Sequence, residues 1–318
     1  MQVPTLNDVL EARSRVYRFV SATPLIRHPL LADETGLDIH VKHENHNPTC
    51  SFKIRGGLNL IAGLPRHDRR GVIAASTGNH GQSVAFASAL ESVPCTIVVP
   101  RGNNPEKIAS MRAMGAEVME HGKDFDEARE KVEALCVERG LRYIHNANEP
   151  PIVAGVATYA LEIFEKLPGV DVIFVPVGGG SGASGCGIVR TALGSRARII
   201  GVQAERADAF TRSWRTRTRV TTKSASTFAE GVATRVTFDF TFGILERELD
   251  DVVTLSEDEL AEGVRLALRA THNLAEGAGA APLMAALKCR DQWRGKKIVC
   301  VMSGGNIDAA TLRRILSA

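Results

Sequence analysis

Apolar positions along this chain fall into short runs that alternate with longer stretches of helical periodicity. Residues 39–43, 71–75, 95–99 and 117–120 read as strands. Helical patterns follow them at about 52–62, 79–90, 105–114 and 125–138, and Pro105 stands at a favoured helix start. A second series begins near residue 145, with a helix at 153–166 leading to the wholly apolar strand 172–177. Strand 199–203 follows the apolar stretch 188–192, which belongs to a helix opened by a glycine run. After a long irregular stretch come helices at 257–273 and 278–288, strand 298–302 and a closing helix at 309–316. Strands with two apolar faces belong in parallel sheets covered by crossover helices. The pattern therefore predicts an α/β protein of two lobes, with mainly parallel twisted sheets flanked by helices. The expected larger domain comprises residues 1–40 and 145–318, and the smaller one 41–144. A cleft between them is the default ligand site.

Composition narrows the class. The 318 residues are 44% hydrophobic and 24% charged, with a formal net charge of +3. That balance is typical of a soluble globular protein and gives no reason to expect nucleic acid or a membrane surface as partner. The amino terminus shows no signal-peptide pattern, and no apolar stretch approaches the length of a membrane span. The six cysteines are scattered without metal-ligand spacing and read as reduced thiols, so a cytoplasmic location is expected.

Four segments at element junctions carry chemistry. Lys53 stands after Ser51-Phe52 and before Gly56-Gly57. An isolated lysine there is compatible with a solvated helix start, but small neighbours also allow the immobile, desolvated amine that covalent catalysis needs. Gly178, Gly179, Gly180, Ser181 and Gly182 directly follow an apolar strand and open a helix. Such a run turns backbone N–H groups toward one phosphate, yet it lacks the lysine of a nucleotide loop and the spacing of a dinucleotide fingerprint. Ser76, Thr77, Gly78, Asn79 and His80 offer donors suited to a substrate carboxylate, although Ser76 or Thr77 also suits a simple cap. His80 reads as a structural hydrogen-bond partner rather than a general base. Ser303 follows the last apolar strand. Amine, amide loop, phosphate cradle and lone hydroxyl together describe a pyridoxal phosphate site. A neutral hydroxyl at the pyridine nitrogen leaves the ring a weaker electron sink, which suits β-elimination better than transamination.

In combination these segments resemble the fold-type II pyridoxal phosphate enzymes, the tryptophan synthase β-like fold, and among them the threonine/serine dehydratase and serine racemase group. The likeness runs from Thr23-Pro24-Leu25 to Ser303-Gly304-Gly305-Asn306. It implies that Lys53 is the Schiff-base residue and the base that removes the α-proton. It further implies that Phe52 packs on the pyridine ring, Asn79 binds the phenolic oxygen, the glycine loop holds the phosphate and Ser303 meets the ring nitrogen. Glu276 is implied as a further cofactor-side residue, and Phe228 to Ala233 as the segment near the substrate side chain. The expected assembly is a homodimer or homotetramer.

Departures from the family pattern shape the remaining expectations. Cys50 replaces a frequent glycine, and Thr77 stands where racemases place a serine. Gln203, Ala207 and Ala209 occupy the positions of a divalent-cation site without a carboxylate, so no metal is expected there. With the sequence ending at Ala318, no regulatory domain is expected after it. The basic run Arg206, Arg212, Arg215, Arg217, Arg219 and Lys223 reads as a solvated loop, with steering of an anionic substrate as the alternative. The expected activity is ammonia release from a 3-hydroxy-α-amino acid such as threonine or serine. The rival readings are an amino-acid racemase, a dehydratase of phenylserine or 3-hydroxyaspartate, a cysteine-synthase type of β-replacement enzyme, and a non-enzymatic phosphate-ligand sensor.

Overall fold

Val172, Ile173 and Phe174 are wholly buried and Val175 nearly so, as a central parallel strand demands. They belong to one of ten strands in the computed structural model, which describes residues 1–317. The strands are β1 (Leu25–Arg27), β2 (Asp38–His43), β3 (Val72–Ala75), β4 (Cys95–Val99), β5 (Glu117–Glu120), β6 (Arg142–Tyr143), β7 (Val172–Pro176), β8 (Arg198–Ala204), β9 (Asp251–Leu255) and β10 (Lys297–Met302). One sheet has six strands in the order β1-β2-β10-β7-β8-β9, and the other has four in the order β5-β4-β3-β6. Only the β1–β2 pair is antiparallel. Each sheet with its helices forms a lobe, and no helix among the described residues is long and apolar enough to cross a membrane.

The boundary expected at residue 41 cuts through β2, whose six residues pair in register with Lys297–Met302 of β10. The strand therefore belongs whole to the six-stranded sheet. Within it Lys42 is buried, its ammonium meeting Glu162 and the Thr23 carbonyl. Several elements arise where the sequence reading gave none, among them a first helix, a late helix and β9. A capping box between Thr5 and Asp8 starts the Leu6–Val16 helix. The irregular stretch after β8 contains the Asp239–Glu248 helix and β9.

The Lys53–Ala62 helix lies between the lobes, packed on Asn79–Leu90 to one side and Pro150–Lys166 to the other. Its glycines permit that approach: a Cβ on Gly57 would collide with the side chain and backbone of Ser83. Beneath the helix, fully buried Arg55 bonds Glu44 at 2.7 Å and Glu162 at 2.5 Å. Both carboxylates need that guanidinium, because an unpaired buried charge is strongly destabilising.

Candidate active site

The helix start brings Lys53 to the glycine loop, where its ammonium donates to Ser181 Oγ at 3.2 Å. Burial lowers its pKa to about 8, against the opposing pull of the Glu276 charge. The ammonium also lies 5.1 Å from the centroid of the Phe52 ring. That ring meets Tyr159 edge-on at 6.1 Å between centroids and lies beside Gly182.

The glycine loop is a backbone cradle. Gly180 has φ +87°, and a Cβ there would press on Leu245 and Thr241 at 2.9 and 3.0 Å. A Cβ on Gly178 would collide with the Gly231 carbonyl. The Ser181–Ala192 helix begins here without a side-chain cap. Its buried first amides, Ser181 to Ala183, have no carbonyl one turn back and present donors and the positive end of the dipole. Thr241 Oγ1 donates to the Gly179 carbonyl at 2.7 Å and braces the turn from outside.

An isolated antiparallel bridge joins Ser51 to Gly304. Around it the Phe52 N–H donates to the Ser303 carbonyl at 3.0 Å and the Gly305 N–H to the Cys50 carbonyl at 2.9 Å. The amine and the buried Ser303 therefore stand on two strands of one clasp.

The third wall is the 76–80 loop. Ser76 Oγ accepts the Gly81 N–H at 2.8 Å and the Gly78 N–H at 3.2 Å. Its hydroxyl is turned inward and shapes the loop. His80 also turns inward, as a structural hydrogen-bond partner would: its buried ring is 3.1 Å from the Ile144 carbonyl. Burial, reinforced by the Lys53 charge, lowers its pKa to about 3, so the ring is neutral and structural. The half-buried Thr77 and Asn79 remain at the loop's open side, where the Asn79–Leu90 helix also starts without a side-chain cap. Asn79 Nδ2 donates to Glu276 Oε1 at 2.8 Å. Burial raises the Glu276 pKa to about 7, against the lowering effects of Lys107 and the Asn79 bond.

Lys107, Glu230 and Asn306 were not singled out by sequence, although Glu230 and Asn306 fall within motifs that were. Lys107 lies beside Gly78 and pairs with Glu230 at 2.5 Å. Gln203 is engaged within the protein: its Oε1 accepts the Thr211 N–H at 2.9 Å and its Nε2 donates to the Val177 carbonyl at 3.1 Å. Among the described residues no group of three or more His, Cys, Asp or Glu is placed to hold a metal ion. In the basic run, Arg217 donates to the Glu246 carbonyl at 2.6 Å and Arg219 pairs with Asp239, so these two charges are locally engaged.

A two-lobed α/β fold with a buried amine facing an uncapped glycine loop is that of the fold-type II pyridoxal phosphate enzymes. The sequence profile of the pyridoxal-phosphate dependent enzyme family matches residues 16–304, and the chain belongs to that family. It is 39% identical to an L-threonine ammonia-lyase of Thermotoga maritima, over 98% of this chain and 78% of that one. It is 32% identical to an L-threo-3-hydroxyaspartate ammonia-lyase of Saccharomyces cerevisiae, over 100% of this chain and 98% of that one. Among solved structures, a processed threonine deaminase isoform from Solanum lycopersicum superposes with a TM-score of 0.93 at 32% identity, over 98% of this chain and 91% of that one. Maize serine racemase also gives a TM-score of 0.93, at 26% identity, covering 99% and 98% of the two chains. The cofactor is pyridoxal phosphate, and the residues present fit it. Lys53 offers an amine for the aldehyde, the buried helix start a set of donors for the phosphate, and Ser303 a neutral hydroxyl.

Proposed function

We propose that this protein is an ammonia-lyase that converts a 3-hydroxy-α-amino acid, L-threonine or L-serine, into a 2-oxo acid and ammonia. The observation that carries the reading is the Lys53 amine held at Ser181 Oγ, with the buried hydroxyl residue Ser303 across the clasp. In this reading Lys53, Phe52, Asn79, the 178–182 loop, Glu276 and Ser303 would hold the cofactor. When bound, the cofactor supplies an electron-withdrawing ring that acidifies the hydrogen on the substrate α-carbon.

The chain's own residues do the rest. Lys53 would anchor the cofactor and, as a free amine, would take the α-proton at Nζ. A lysine pKa near 8 suits that role, since the amine is neutral far more often than an exposed one. The uncapped start of the Asn79–Leu90 helix and the Thr77 hydroxyl would orient the substrate carboxylate. A neutral hydroxyl such as that of Ser303 at the ring nitrogen would favour loss of the 3-hydroxyl over a long-lived carbanion.

Charge favours threonine or serine over an acidic substrate. Lys107, the cation beside Gly78, is already matched by Glu230, and Glu276 is close behind. A second carboxylate on the substrate would meet two acidic residues, whereas a hydrogen or methyl would not.

The test is ammonia and 2-oxo acid release from L-serine, L-threonine, phenylserine and 3-hydroxyaspartate, with chiral analysis of recovered serine. Turnover of L-threonine or L-serine to 2-oxo acid is expected. D-serine as the main product would establish the racemase reading instead, and a protein purified without cofactor colour that releases no ammonia would refute the enzyme altogether.

A further inference from the structure

The segment 228–235 belongs to the lobe of the six-stranded sheet, yet it is tied to the other lobe by two ion pairs of opposite sense. Near its start, Glu230 accepts from Lys107, which lies on the Pro105–Ala113 helix. At its end, Arg235 pairs with Asp126 on the Phe125–Arg139 helix. Between these ties the segment touches the site itself. The Gly231 carbonyl abuts Gly178 of the phosphate cradle, and Gly231 also approaches Glu276 Oε1.

The two pairs differ in setting. The Arg235 and Asp126 side chains are 46% and 42% exposed, so water and salt weaken them. Lys107 is only 11% exposed and Glu230 49%, so the inner pair is shielded at its lysine end. Lys107 is also held by the loop it serves: a Cβ on Gly78 would lie 3.9 Å from its ammonium. Just before its helix, Asn103 donates to the Thr77 carbonyl at 3.2 Å.

We propose that Lys107 and Glu230 are positioning residues whose ion pair latches the 228–235 strap onto the 76–80 loop and closes the site over the amino acid. The choice of amino acid rests on the ammonia-lyase reading; the latch itself rests on the geometry. A small zwitterion offers few atoms to bind, so its affinity depends on how firmly the two lobes are held together around it.

Charge exchange tests this in the holoenzyme. L-threonine binding is followed by the cofactor's absorbance, and ammonia release gives kcat and KM. The proteins are the wild type, Lys107→Glu, Glu230→Lys and the double exchange. Each single variant should raise Kd and KM about tenfold, as expected for a partly buried pair, with cofactor content and melting temperature little changed. The double exchange should recover most of that loss. Singles with unaltered Kd, or a double as weak as the product of the singles, overturn the latch. Where a reversed charge prevents folding, Lys107→Met and Glu230→Gln replace it, and the latch then requires the double to be no weaker than either single. A wild type that binds L-threonine but releases no ammonia defeats the lyase reading, and its Kd series still decides the latch.

Discussion

Asn306 donates its side-chain amide to Asn79 Oδ1 at 2.7 Å, which leaves the Asn79 nitrogen end to face Glu276. An asparagine has one acceptor end and one donor end, so engaging the oxygen fixes which end meets the cofactor side. A second hydrogen on Nδ2 is then the one available to a phenolic oxygen. Asn306 itself is held by donating to the Thr49 carbonyl at 2.9 Å.

Glu276 shares in this arrangement at a cost that pH reveals. Its folded-state pKa of about 7 lies above the ordinary value of 4.5, so the folded protein holds this proton more tightly than the unfolded chain. The stability it contributes is complete below about pH 4.5 and is lost as pH rises through 7. Glu276→Gln keeps an acceptor for Asn79 and removes the charge. Thermal melts of the cofactor-free protein should show little difference from wild type near pH 4.5 and a growing advantage for the variant up to pH 7, then a plateau. An advantage independent of pH would contradict the assignment.

Lys53→Ala would remove both the proposed anchor and the proposed base. Ammonia release should fall by at least about a thousandfold. Mass spectrometry after borohydride treatment should find the cofactor fixed to the wild-type chain and absent from the variant.

The lowered Lys53 pKa also governs cofactor capture, because only the neutral amine attacks an aldehyde. Reconstitution of cofactor-free protein should accelerate as pH rises from 7 to 9, with its midpoint near 8. A midpoint near the ordinary lysine value of 10.5 would show that burial does not act as described.

Filling the cradle should weaken the cofactor specifically. Gly178→Ala meets the Gly231 carbonyl, and Gly180→Ala meets both strain at φ +87° and the Thr241 side chain. Fluorescence titration should show at least a roughly tenfold loss of pyridoxal phosphate affinity for each, equivalent to about 1.4 kcal/mol. Gly194→Ala is the control: its φ is +60° with nothing within 4 Å, so it should lower stability slightly and leave cofactor affinity intact.

Arg55→Met should be among the most destabilising single changes. It strands the buried Glu44 and leaves Glu162 with Lys42 alone. Denaturant unfolding should register a loss of about 3–5 kcal/mol, part of it restored when Glu44→Gln is added.

What the sequence disclosed follows from the range of each interaction. Strands such as β7 and β10 are buried on both faces, so their burial is written as unbroken apolar runs. The glycine loop is equally local, since backbone chemistry alone decides it. The Leu6–Val16 helix escaped although Leu6, Val9, Leu10 and Val16 recur at helical spacing and the Thr5–Asp8 box marks its start. Lys107 was invisible for a different reason. Its role depends on Glu230, 123 positions away, and nothing in an ordinary helix start marks one lysine as facing a cleft. The inward turn of Ser76 was open to either reading until its hydroxyl found the Gly78 and Gly81 amides.

The clasp between Ser51 and Gly304 has a consequence for how the protein comes into being. One half leaves the ribosome about 250 residues before the other, and β10 must insert between β2 and β7 before the two halves can meet. A nascent chain that has already made Lys53 and its glycine loop still lacks the surface that holds them in register. Cofactor loading should therefore wait on synthesis through β10, because only then can the clasp beside Lys53 close. Prematurely ended products should stay colourless and sensitive to proteolysis.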